Sequence, residues 1–160
     1  MAEFVVDTTA DEVADDSRLS LREAVAQANA TPEADRIVFA SGPGEAFEGG
    51  GTIRLVQGTI TIAAALAIDG DLDGDGQPDV TISGDAAGDD LTDMQGVTDI
   101  DASAGEGRLA DNTRLFDITD PDGAVTLRGL ALTGGAVSDP GEEGGAVRTL
   151  APLTLAASHL

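Results

Sequence analysis

The chain predicts an all-β solenoid, a β-helix of stacked coils closed near its start by one capping α-helix. Three observations carry that expectation. Short runs of Val, Ile, Leu and Thr recur between glycines along almost the whole chain. Two of them superpose: Val125-Thr126-Leu127 through Leu132 lies over Leu153-Thr154-Leu155 through Leu160, at an offset of 28 residues. Self-similarity at a fixed period of roughly 20–50 residues marks stacked repeats. Finally, a single stretch reads as a good helix, and it stands where a stack of strands needs a cover. A β-sandwich is the competing architecture, since it also uses short strands at regular spacing.

The elements follow in order. Phe4-Val5-Val6 is a short apolar strand, followed by an acidic turn from Asp11 to Asp16. Ser20 and Glu23 then form a capping box, with Leu19 outside it as a staple against Ala24. Leu21, Ala24, Val25 and Ala28 fall at i, i+3, i+4 and i+7, so one apolar face runs along a helix from about Leu21 to Ala30. Asn29 and Thr31-Pro32 end it. Strands are predicted at Arg36–Phe39, Thr52–Leu55, Thr59–Ile62, Leu66–Ile68, Val80–Ile82, Leu115–Ile118, Val125–Leu127, Leu130–Leu132 and Leu153–Leu155. Ile60-Thr61-Ile62 with Leu66-Ala67-Ile68 reads as the Val125–Leu132 unit with one residue inserted. Residues 1–40 are thus expected to form an N-terminal cap, and 41–160 the first coils, interrupted by a long acidic insertion at about 84–112. The pattern runs into Leu160 without a polar closing unit, so the chain is expected to be a fragment, or to meet another subunit at that end.

Composition narrows the function. Thirty acidic residues stand against eight basic ones, every one of them Arg, for a formal net charge of −22. Such a surface repels phosphate, which argues against nucleic acid and anionic membrane as partners. Cysteine is absent, excluding a disulfide framework. No run approaches the roughly 20 apolar residues of a membrane span. Met1-Ala2-Glu3-Phe4 lacks the features of a secretory signal, leaving export by a C-terminal signal, or no export, as alternatives.

Phe4 to Asp11, Ser20-Leu21-Arg22-Glu23-Ala24-Val25, Ala28-Asn29-Ala30 and Asp35-Arg36-Ile37-Val38-Phe39 resemble the CSLREA domain, a module that starts many bacterial surface and secreted proteins. Gly51–Leu55, Leu66–Gly70, Val80–Gly84 and Leu127–Gly135 are similar to the right-handed parallel β-helix, pectate-lyase-like in fold, that follows it, and this resemblance implies an all-β right-handed parallel β-helix here. The family's Cys falls at Leu19 here, which makes an apolar staple the expected role. The resemblance implies an extracellular or cell-surface setting and no single activity. Large secreted relatives of this kind, with acidic calcium-binding repeats and a type I secretion signal, often begin directly after Met.

One segment carries chemistry. From Asp71, the run Asp71-Leu72-Asp73-Gly74-Asp75-Gly76-Gln77-Pro78-Asp79 reads D-x-D-x-D-G-x-x-D. Alternating Asp side chains converge on one hard cation, Gly76 permits the sharp turn, Gln77 offers its backbone carbonyl, and Asp79 closes the shell. An all-oxygen set favours Ca²⁺ over transition metals. Position twelve is Ile82, so the closing bidentate carboxylate of an EF-hand is missing. The expected metal ligands are therefore Asp71, Asp73, Asp75, Gln77 and Asp79, with calcium fixing a turn; the plainer alternative is a solvated acidic turn. Pectate lyases hold acidic sugar through such an ion, but with a basic residue beside it, and no Arg can be placed there from sequence.

Other candidates read as structure. Asp15-Asp16 and Asp89-Asp90 suggest a carboxylate dyad for glycoside hydrolysis, yet lie in loop text. His159 has no nucleophile or base to pair with. Gly49-Gly50-Gly51 lacks the Lys and Ser/Thr of a phosphate loop. Arg22 is expected to pair with an acidic neighbour at the cap or to stand at the surface. Asp93, Asp99 and Asp101 form a weaker second calcium candidate. The reading is a non-catalytic adhesin or scaffold stiffened by calcium, with a carbohydrate or a host or cell-surface ligand as partner. The alternatives are a calcium-dependent polysaccharide lyase or hydrolase, and an end-to-end stacking module.

Overall fold

The computed structural model describes residues 1–87, 112–136 and 145–158. Among them are eleven strands and one helix: β1 (Glu3–Val6), α1 (Leu21–Asn29), β2 (Asp35–Phe39), β3 (Gly51–Arg54), β4 (Ile60–Ile62), β5 (Leu66–Asp69), β6 (Val80–Ser83), β7 (Phe116–Ile118), β8 (Val125–Arg128), β9 (Leu130–Thr133), β10 (Val147–Thr149) and β11 (Leu153–Ala156). They form three parallel sheets, ordered β1-β2-β5-β8-β11, β10-β7-β4 and β3-β6-β9. From β2 onward, successive strands join the three sheets in rotation.

This corrects the expected all-β right-handed parallel β-helix. What the structure has is three small parallel sheets and one short helix, a mostly β fold. The anticipated single strand–turn–strand repeat is not in the registers. Ile60 and Ile62 pair with Phe116 and Ile118, whereas Leu66 and Ile68 pair with Val125 and Leu127 in a different sheet. The physical reason is that an alternating Ile/Leu/Val–Thr triplet buries the same face in any sheet. Its texture reports a half-buried strand without reporting which sheet the strand joins. Where the overlay fell within one sheet it coincides with the register: Val125, Thr126 and Leu127 face Leu153, Thr154 and Leu155, while Leu160 lies outside the described residues. β10 falls outside every predicted strand, because Val147-Arg148-Thr149 carries a single apolar residue.

The core is built from residues that repeat across each register. Ile37, Ile68 and Leu127 align in the largest sheet, Ile53, Ile82 and Leu132 in the second, Ile62 and Ile118 in the third. All are buried, and each contributes roughly 1.5–3 kcal/mol. Phe47 is fully buried beside Phe39, their rings edge to face with centroids 4.9 Å apart. Burial falls off at β11, where Leu155 is 39% exposed.

The helix forms as the sequence dictates. Ser20 accepts a hydrogen bond from the Glu23 amide at 3.2 Å, and the Glu23 carboxylate accepts from the Ser20 amide at 2.9 Å. Leu21, Ala24, Val25 and Ala28 are the buried face. Leu19 is half-buried against the core. The helix packs on β4, whose outer edge would otherwise present bare backbone groups. Asn29 fills that role: its amide donates to the Thr61 carbonyl at 2.9 Å, and its side-chain oxygen accepts from Ala63 N–H at 2.8 Å. Arg22 adds hydrogen bonds to the Gly58 and Thr59 carbonyls. The loop that follows α1 is tied down by Asp35, whose carboxylate accepts from Ala2 N–H at 2.6 Å and from the Thr31 hydroxyl. Those two bonds, the Ala2 one foremost, hold the Asp35 carboxyl below its ordinary range.

Candidate metal site

The acidic loop runs from the end of β5 to the start of β6, so both ends are fixed by parallel strands. Gly76 takes φ +80°, a left-handed conformation that glycine adopts without the Cβ penalty, and the chain turns back there. Carboxylate oxygens of Asp71, Asp73 and Asp79 lie within 4.8 Å of one another. Asp71 and Asp79 are partly buried and Asp73 is exposed. Asp75 lies outside this convergent set of carboxylates. Asp75 instead accepts a hydrogen bond from the Gln77 amide at 2.7 Å, and both residues are exposed.

Hydrogen bonds from the backbone shape the loop. Asp71 accepts from Gly74 N–H at 2.8 Å, Asp73 from Asp75 N–H at 2.9 Å, and Asp79 from Leu72 N–H at 2.7 Å across the loop's base. Asp73 and Asp79 keep further lone pairs for a ligand. Asp73 and Asp79 also line a cavity of about 260 Å³ with Ser41, Gly49, Gly50 and Leu72. Oxygen-only donors of this kind suit a hard cation.

Sequence reasoning missed the cation already beside the loop. Arg128 at the end of β8 is the register partner of Asp69. Its guanidinium donates to Asp69 at 3.1 Å and to Asp71. The Asp71 side chain is fully shielded from solvent, and a buried carboxylate without a counter-charge is strongly disfavoured. Gly129 allows the approach: a Cβ there would sit 2.2 Å from the Asp71 amide nitrogen. The available signal was the position of Arg128 at a strand's end, but only the register shows that this end abuts the loop. Asp69 continues the pairing to Arg36 at 2.8 Å, and Arg36 to Glu3 at 3.3 Å.

The other candidates separate cleanly. Asp16 lines a second cavity, of about 460 Å³, with Asp7 and Glu45 among others; Asp15 and Asp16 are exposed. Arg22 pairs with Asp11 through two hydrogen bonds, at 2.6 and 2.9 Å. Arg54 lies on β3, Arg128 on β8 and Arg148 on β10, one in each sheet, with Arg148 paired to Asp117. Arg114 is buried just before β7. Asp89-Asp90, Asp93, Asp99, Asp101, Arg108 and His159 lie outside the described residues. Among the described residues no helix is long and apolar enough to cross a membrane. No family model, no curated protein and no solved structure matches the chain.

Proposed function

We propose that this chain is a non-catalytic extracellular or cell-surface module, an adhesin or scaffold, whose Asp71–Asp79 loop is stiffened by calcium. The observation that carries the metal is the convergence of Asp71, Asp73 and Asp79. Asp75 and the Gln77 carbonyl would complete the oxygen shell when the ion binds. The net charge of −22 favours divalent counter-ions. The likeness of the Ser20–Val25 helix and its flanks to the CSLREA module supports the bacterial, secreted setting, and the exposed surface would meet a carbohydrate or a host ligand.

Calcium titration by calorimetry, with magnesium as control, tests the proposal. One calcium site is expected. At a hundredfold excess over Kd the melting temperature should rise by roughly 5–10 °C. Replacing Asp73 and Asp79 together by Asn should abolish both effects. No heat of binding, and a melting curve indifferent to chelator, would sink the calcium claim.

One observation favours a second reading, a calcium-dependent lyase or hydrolase acting on acidic polysaccharide: Arg128 stands beside the loop. Its guanidinium is committed to Asp69 and Asp71, however, and the arginines of Arg54, Arg128 and Arg148 fall on three different sheets. An acidic-sugar groove needs them on one flank. Release of unsaturated uronides from polygalacturonate or alginate would establish this reading over the first.

A further inference from the structure

Asp71 presents a problem that the loop's own backbone does not solve. Its side chain is fully shielded from solvent, and one hydrogen bond from Gly74 N–H leaves most of its charge uncompensated. An ionised carboxylate so placed requires a cation. The guanidinium of Arg128 supplies one, reaching Asp71 with one terminal nitrogen and Asp69 with the other. Arg128 itself is 42% exposed on its side chain, so water is available to it if it withdraws. Asp69 would not be stranded by that withdrawal, because Arg36 already holds it at 2.8 Å.

From this arrangement we propose that Arg128 is the resident cation of the acidic loop, and that a divalent ion reaches Asp71 only by displacing it. The inference rests on the calcium reading for its second half. Its first half, neutralisation of Asp71 by Arg128, stands on the ion pair alone. Two cations held against the one shielded Asp71 carboxylate repel each other at close range. Arg128 therefore keeps the loop folded when metal is scarce and lowers its affinity for metal. Calcium binding and release of the guanidinium from Asp71 are linked events of opposite sign.

The test compares the full chain with Arg128→Gln and Arg128→Lys. In chelator, R128Q is expected to melt below the parent, since Asp71 is left buried without its cation. By calorimetry R128Q should bind calcium roughly tenfold more tightly, the fold-change of one lost charged hydrogen bond. Its melting temperature should accordingly rise more with calcium than the parent's. R128K, which keeps the charge, should stay near the parent in both measurements, and it decides the matter if R128Q folds poorly. Calcium binding by the parent with equal or weaker binding by R128Q would overturn the competition and leave the calcium site standing. Binding by R128Q alone would support it. Binding by neither protein would remove the calcium reading and the competition with it.

Discussion

Asp11 has 1% of its side chain exposed and is surrounded by donors. Arg22 grips it with two nitrogens, the Gln57 amide donates to it at 2.8 Å, and the Gln57 side chain donates to its carbonyl at 2.9 Å. This one residue joins the loop before α1 to the turn between β3 and β4. Removing one partner of a buried pair typically costs about 3–5 kcal/mol. Asp11→Asn leaves the guanidinium facing an amide that cannot carry charge. Thermal unfolding should register a fall of more than about 6 °C; a shift within a degree of the parent would show that the pair contributes nothing to stability.

At the scale of elements, α1 is held by its first turn and by its buried face. Hydrogen bonds from the Ser20 and then the Ala14 amides hold the Glu23 carboxyl below its ordinary range. A folded-state value below the unfolded one means stability that is present above about pH 4.3. It is lost as the pH falls through the lower, folded value. Glu23→Gln removes this contribution at neutral pH. The difference in urea midpoint between parent and variant should therefore be largest near pH 7 and shrink as the pH falls through the lowered, folded value. A constant difference across that range would mean that the charge on Glu23 is immaterial to the cap. The same helix shields β4, and it does so with side chains that imitate a neighbouring strand, through Asn29 and Arg22.

Across the whole molecule the charge and the strand edges oppose each other. β9, β10 and β11 each have a sheet neighbour on one side only among the described residues, and Leu150 and Leu155 are exposed there. Such edges can pair with another chain. The −22 net charge opposes approach of a second copy. End-to-end stacking, the third functional proposal, should therefore be sensitive to screening. The Debye length falls from about 30 Å at 0.01 M salt to about 3 Å at 1 M. Sedimentation velocity should show monomer at low salt and growing association at high salt. A strict monomer throughout would remove the stacking proposal.

What the sequence determined by itself is local. The capping box, the apolar stripe of α1, ten of the eleven strands and the acidic loop between β5 and β6 were legible, because each depends on neighbours within one turn or one pleat. The Asp-x-Asp spacing likewise placed Asp71, Asp73 and Asp79 in one loop, and the fold closes them to within 4.8 Å. Tertiary structure decided which strands pair, since an Ile-Thr-Ile triplet is equally buried beside Phe116 or beside Val125. It also decided that Arg128 meets Asp71. Those residues are distant in the chain and adjacent only through the parallel register of β5 with β8, and long-range register is set by the packing of the whole core. The clustering of Asp71, Asp73 and Asp79 could be read from spacing alone, but the guanidinium that already pairs with one of them could not.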